Sequence, residues 1–327
     1  MTTISLFLVL ALFFAIAIIY FRVALYCNIV DKPNHRSSHH TQIIRGGGII
    51  FIFAAFILFC LNAKYWIFVI GVIVVGIISF IDDILTLSNK IRVLFHVISV
   101  TLLFLALEMF STTPLWIIAL LYVVIIGTIN AYNFMDGING ITGAYSLVVL
   151  GGLQYVNYSI INYVDPDLIW LPIIACLVFL YYNFRKNARW FAGDVGSITL
   201  SFWISFLLLK LIVQTGNMLY ILFLLIYGLD TFTTILFRLI RKENIFEAHR
   251  SHFYQFLVNE KSISHLLVAT GYGLTQLLVI ISILNIGTIS LLGICAGIVL
   301  IAILFISVRF ALEGKEVLLN SKADEQI

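Results

Sequence analysis

Long apolar stretches of roughly 17 to 22 residues, broken by short polar segments, run along the entire chain. They lie near 2–24, 46–62, 66–81, 93–110, 114–131, 141–158, 167–184, 197–214, 218–238, 264–284 and 288–308. A helix of about 20 apolar residues crosses a hydrocarbon core of about 30 Å, so the pattern predicts an all-α polytopic integral membrane protein of about 11 transmembrane helices. The first run carries no Lys or Arg in Met1 to Ser5 and continues to Leu25 without a small-residue cleavage site. It reads as a retained helix and not as a signal peptide.

An odd number of spans puts the termini on opposite sides, and the basic residues then choose the orientation. Of the 19 Lys and Arg, all but Lys64 and Lys210 fall on one side. By the positive-inside rule the N-terminus is outside, the C-terminus is cytoplasmic, and five loops face the cytoplasm: 25–45, 82–92, 132–140, 185–196 and 239–263. Residues 1–308 then form a single transmembrane catalytic domain and 309–327 a cytoplasmic tail. On the outer side, Asp165 and Asp167 read as a solvated turn.

Composition closes off the alternatives. Hydrophobic residues make up 62% of the 327 and charged residues 11%; a soluble core could not hide that many apolar side chains behind so little polar surface. Cys27, Cys60, Cys176 and Cys295 show no CxxC pairing, which argues against zinc or a disulfide framework and reads as buried structural thiols.

The five loops are also where chemistry concentrates. Asp82-Asp83 closes the third span; adjacent carboxylates at a membrane boundary need a cation, a proton or water between them, although a helix end dipping into the cytoplasm would also carry such a pair. In NAYNFMDGINGITG, Asn130, Asn133, Asp136 and Asn139 recur every three residues, which would place oxygen ligands and amide donors on one helical face. Gly137, Gly140 and Gly143 would let a ligand approach the backbone. RWFAGDVGSITL sets Asp194 between glycines with Ser197 as a candidate N-cap, a pattern suited to a helix-start anion site with a metal-binding carboxylate beside it. FEAHRSHFYQF supplies His249, Arg250 and His252, donors fit for phosphate oxygens or for lipid headgroups. Carboxylates with cations and no Ser/His/Asp or Cys/His triad suggest Mg²⁺-assisted phosphoryl chemistry, with one reactant soluble and the other a lipid. Asp230, about 12 Å below the end of its span, is the exception. It is the feature that would favour the rival reading, a secondary transporter of an anionic or lipid-linked solute with a midplane site.

DKPNHRSSH with RGGG, DDILTLSNK, NAYNFMDGINGITG, FAGDVGS and HRSHFYQF, in that order over roughly residues 25 to 260, resemble the motifs of the polyprenyl-phosphate N-acetylhexosamine-1-phosphate transferases. That family includes the phospho-MurNAc-pentapeptide transferase of peptidoglycan synthesis. HRSSH, RGGG and HRSHFYQ lean toward the O-antigen-initiating branch. The resemblance implies transfer of an N-acetylhexosamine 1-phosphate from a UDP-sugar to undecaprenyl phosphate with release of UMP. It further implies Mg²⁺ (or Mn²⁺) as cofactor, no nucleic-acid partner, and a bacterial inner membrane location, with a homodimer left open. It implies that Asp82, Asp83, Asp136 and His252 are catalytic and that Asp194 is the metal ligand. Asn133, Asn139, Phe191, Arg250, Lys90 and Arg45 would bind substrate, with Phe191 stacking on uracil. Three departures stand out: Asn139 replaces a second Asp, Tyr254 and Gln255 replace two histidines, and Ile43-Ile44 replace Thr-Pro, which weakens any role for the loop that carries Arg45.

Overall fold

The computed structural model describes residues 3–31, 43–245, 250–286 and 289–320. The segment carrying HRSSH and the residue His249 lie outside the described residues. The elements are α1 (Thr3–Tyr26), β1 (Val30–Asp31), β2 (Ile43–Ile44), α2 (Ile49–Leu61), α3 (Trp66–Leu85), α4 (Asn89–Ala106), the single turn α5 (Met109–Thr112) and α6 (Leu115–Met135). They continue with α7 (Ile141–Ser159), α8 (Asp167–Asn183), α9 (Gly193–Thr215), α10 (Leu225–Ile240), α11 (Phe253–Asn259), α12 (His265–Ile286), α13 (Leu291–Glu313) and α14 (Lys315–Leu319). Short 3₁₀ turns at Ala63–Tyr65 and Met218–Leu224 lead into α3 and α10.

Every predicted apolar run is helical, and the chain is an all-α polytopic membrane protein. Among the described residues, eight helical stretches are long and apolar enough to cross a membrane. α2, with 13 residues, and α8, with 17, are shorter; at helical rise α2 spans only about 20 Å. The outward faces of α1, α4, α6, α12 and α13 expose large hydrophobic side chains, among them Phe7, Leu12, Val93, Leu120, Leu278 and Leu304. That is the surface a hydrocarbon solvent selects.

α9 is the axis of the bundle. In its most apolar window 89% of residues are buried, against 6% in α13. α2, α3, α6 and α7 pack around α9, so its first turn is fixed from several sides. On the opposite flank, buried Gln276 of α12 accepts from the Tyr145 hydroxyl at 2.7 Å and from the Ile226 amide at 3.1 Å. That amide is left over where the 3₁₀ turn passes into α10, and satisfying it sets the start of the helix that carries Asp230.

Two expectations change here. Only Cys176 is buried; Cys27, Cys60 and Cys295 are exposed, so three of the four are not core thiols. The boundary at 308/309 falls inside α13: Arg309 is buried, and Leu318 of α14 is buried as well. Arg241 donates to the carbonyls of Val317 and Leu318, which ties the start of the expected tail to the bundle.

Candidate active site

The acidic pair sits in the last turn of α3 and Asp194 in the first turn of α9. Asp83 accepts the amides of Asp194 at 2.9 Å and Val195 at 3.1 Å. It therefore caps α9, where the N–H groups of a first turn otherwise lack partners and the helix dipole favours an anion. Ser197 is not the cap that the sequence suggested. The helix begins four residues earlier, and Ser197 donates from inside it to Asn133 Oδ1 at 2.8 Å. The anion position at this helix start is thus filled by Asp83, a side chain of the protein itself.

Two arginines close around the carboxylates. Arg45 Nε lies 2.8 Å from Asp83 Oδ1, and its Nη2 lies 3.8 Å from Asp194 Oδ1. Arg92 Nε lies 3.2 Å from Asp82 Oδ2, and its Nη2 lies 3.4 Å from Asp194 Oδ2. Asp194 is the most open of the three carboxylates, its side chain 17% exposed against 0% for Asp83 and 8% for Asp82. Three carboxylates face two guanidinium groups, so ionising all three leaves one negative charge for a divalent cation to offset. Among the described residues no group of three or more His, Cys, Asp or Glu side chains is placed to hold a metal ion by itself. Mg²⁺ commonly takes only one or two carboxylates and completes its shell with water and substrate phosphates, so the open Asp194 is the residue that could contribute to holding it. The residues present fit such an ion.

Arg45 owes its place to backbone pairing. Val30 pairs with Ile44 and Asp31 with Ile43. Phe191 N donates to Ile44 O at 2.7 Å, Gly47 N to Phe191 O at 2.8 Å and Gly48 N to Ala192 O at 3.0 Å. Ile43 and Ile44 are both buried, so the apolar pair that departs from Thr-Pro anchors the loop and leaves it able to deliver Arg45. Phe191, half-buried, lies in the same pairing.

In the third loop the spacing of three does not make one helical face. α6 ends at Met135 and Asp136 has left the helix, with φ −87° and ψ 52°. Asn130 turns back to the Ile126 carbonyl at 2.9 Å, and buried Asn139 donates to the carbonyls of Arg185 and Lys186 at 2.9 and 3.2 Å. Asn139 thus links the third and fourth loops. Asp136 accepts from Thr142 at 2.6 Å. Burial, helped by the charge of Asp83 and opposed by the Thr142 hydrogen bond, raises its carboxyl to about 6.

His252 is buried at the start of α11, with Nδ1 3.2 Å from Asp230 Oδ1, while Arg250 is exposed. Gln255 completes a capping box around His252: its side chain accepts the His252 amide at 3.3 Å. Lys90 is exposed at the head of α4. Sequence reasoning passed over Arg92, although it lies one helical turn beyond the acidic pair's loop. It also took Asp165 for a solvated turn. Asp165 instead accepts from Asn62 and from Tyr65, at 2.9 and 2.8 Å, and pairs with Lys64. The Lys64 hydrogen bond holds its carboxyl below the usual range.

Residues 65–212 match the family model described as glycosyl transferase family 4. The chain is therefore similar to that family over 148 of its 327 residues. A Bacillus subtilis (strain 168) protein described as a probable undecaprenyl-phosphate N-acetylglucosaminyl 1-phosphate transferase is 27% identical over 258 residues, 72% of each chain. The phospho-N-acetylmuramoyl-pentapeptide-transferase of Thermotoga petrophila is 27% identical over 261 residues, 73% of this chain and 84% of its own. That of Dictyoglomus thermophilum is 29% identical over 254 residues, 69% of this chain and 80% of its own. The matched segment contains Asp82, Asp83, Arg92, Asn133, Asp136 and Asp194. Arg45, Asp230, Arg250 and His252 lie outside it.

Proposed function

We propose that this protein transfers an N-acetylhexosamine 1-phosphate from a UDP-sugar to undecaprenyl phosphate, releasing UMP and initiating a cell-surface polysaccharide such as O-antigen. The observation that carries the reading is the convergence of Asp82, Asp83 and Asp194 with Arg45 and Arg92 where α3 meets α9. A cluster so rich in opposed charges at a helix end is suited to oxygen-rich, anionic reactants. The names of the relatives supply the class of reaction.

Asp194 would hold Mg²⁺ (or Mn²⁺), which supplies neutralising charge to the donor diphosphate. Asp82 orients the lipid phosphate or takes its proton, and a phosphate oxygen of the lipid attacks the β-phosphorus. The bond from that phosphorus to the bridging oxygen breaks, and UMP leaves with the electron pair. Arg250 and His252 steady the diphosphate, and exposed Lys90 is open to the lipid phosphate. Asn133, held by Ser197, and Phe191 border the nucleotide, with Phe191 presenting its ring to uracil. The site faces the cytoplasm of a bacterial inner membrane, where the soluble donor is available.

No observation supports the transporter. Asp230, the residue that would have carried it, accepts from five donors within the protein, and a carboxylate offers about four lone-pair positions. Incubating the purified protein with undecaprenyl phosphate, Mg²⁺ and a panel of UDP-sugars, and following UMP release, tests the proposal. Release with an N-acetylhexosamine donor that depends on the lipid supports it; no release with any donor overturns it.

A further inference from the structure

Asp230 and Arg309 are buried charges, 0% and 1% exposed, that the reaction itself does not use. Charges are expensive to bury, so each must be matched by hydrogen bonds. Both are, and four of those bonds converge on one short piece of chain, Ser251 to Tyr254. Asp230 accepts the amides of Phe253 at 2.9 Å and Tyr254 at 3.2 Å, the Tyr272 hydroxyl at 2.6 Å and the Thr234 hydroxyl at 3.2 Å, with His252 Nδ1 at 3.2 Å. Arg309 donates to the Ser251 carbonyl at 2.9 Å, to the hydroxyls of Thr233 and Thr234 at 3.0 and 2.9 Å, and to Glu313 at 2.5 and 3.1 Å. A guanidinium has five N–H donors, and these contacts occupy all five.

The backbone on both sides of His252 is therefore clamped. Arg309 holds the carbonyl before it and Asp230 the two amides after it, while Thr234 bridges the two charges. The segment is also set against the third loop: the Tyr254 hydroxyl donates to the Phe134 carbonyl at 2.9 Å, next to Asn133 and two residues before Asp136. The partner helix makes this arrangement unusual. α13 is otherwise the least enclosed of the candidate spans, with Ile294 and Arg309 its fully buried residues.

We propose that Asp230, Arg309 and Glu313 form a positioning unit that holds His252 in register with the third loop, which makes α13 a working part of the site although it lies beyond the family-matched segment. The proposal rests on the transferase reading given above. A plain structural role would also explain why α13 is pinned to the bundle, so the test must report on coupling to His252 and not on folding.

The experiment is a double-mutant cycle on the full-length protein, following UMP release with the donor that the wild type uses. Asp230→Asn and Arg309→Gln are each expected to lower kcat by about a hundredfold while the inhibition constant for UMP stays within about twofold. In a His252→Gln background, measured against its residual turnover, neither substitution should lower kcat by more than about twofold further, because its effect acts through the missing ring. Losses that add in full in that background, or a UMP constant that weakens in step with kcat, overturn the proposal. Where Asp230→Asn does not fold, Tyr272→Phe removes one donor from Asp230 and leaves the carboxylate in place. It should lower kcat by about tenfold alone and not at all with His252→Gln; unchanged kcat in Tyr272→Phe alone also overturns the proposal. A wild type that releases no UMP with any donor defeats the transferase reading itself, a result distinct from additive losses in an active protein.

Discussion

Asp83 and Asp194, although they sit in one cluster, do different work. Asp83 is fully enclosed and spends both oxygens on the first turn of α9 and on Arg45. Asp194 keeps its carboxylate nearer the open side and meets its arginines at longer range. Asp194→Asn should therefore nearly abolish turnover while the detergent-solubilised protein keeps its thermal midpoint within a few degrees. EDTA should stop the wild type in the same assay; undiminished release in its presence would remove the metal from the proposal. Arg92, about a quarter exposed, faces both Asp82 and Asp194, and losing it leaves both carboxylates short of a cation. Arg92→Gln should consequently cost much more in kcat than Lys90→Gln, whose exposed ammonium should affect mainly the KM for the lipid. Asp136 adds a pH signature. Its carboxyl is raised from 3.8 to about 6 by burial, so between these values the folded protein holds a proton that the unfolded chain has released. Stability then falls as pH rises through that window, and the penalty is complete above about 6. The Asp136→Asn protein should show a higher thermal midpoint than wild type at pH 7, with the gap closing below pH 4. If the ionised carboxylate is the working form, wild-type turnover should rise with pH through about 6.

At the scale of elements, the first turn of α9 is the joint on which the site depends, and Gly193 is the residue that permits it. Its φ is +69°, and a Cβ there would overlap the Asp83 carboxylate. Gly216, at the other end of the same helix, has φ +67° with open space around it. An alanine at either position costs about 1–2 kcal/mol of left-handed backbone strain, but only Gly193→Ala also pushes Asp83 off the amides it caps. Thermal midpoints in detergent should fall for both variants, and turnover only for Gly193→Ala. Equal turnover in the two would mean that the cap does not serve the site. This joint also marks how far the sequence was legible. GDVGS announced a helix start with a carboxylate, and DD announced an acidic helix end. That one would cap the other, with Ser197 left to hold Asn133, follows from tertiary packing that no local spacing encodes. The spacing of three from Asn130 to Asn139 misled for a related reason: the helix stops at Met135, and beyond it the side chains are aimed by loop-to-loop hydrogen bonds. Arg309 was hidden because a basic residue at the end of an apolar run reads equally well as an interfacial anchor.

For the molecule as a whole, apolar run length carried most of the architecture, since the bilayer demands long apolar helices and the sequence must spell them out. It could not show which helices are central. α9 and α13 are both strongly apolar, yet one is enclosed by protein and the other by lipid. Side-chain size and the few buried polar anchors make that difference, and they are not features of hydropathy. Nor does apolar length fix which end of the bundle faces the cytoplasm; that expectation rests on charge, with Lys64 and Lys210, among the described residues, together at the end opposite the site. Asp165 is a poor reporter for this end, because Lys64, Asn62 and Tyr65 all depend on it. Asn162 is exposed beside it, and Lys186 is exposed in the fourth loop at the site end. Three native cysteines are exposed, so all four are first replaced by serine or alanine. In that background Asn162→Cys should react in intact cells with a membrane-impermeant maleimide, and Lys186→Cys only after the membrane is opened. The reverse pattern would turn the protein over, putting the Asp82, Asp83 and Asp194 cluster on the face away from cytoplasmic UDP-sugars and leaving the proposed donor without access.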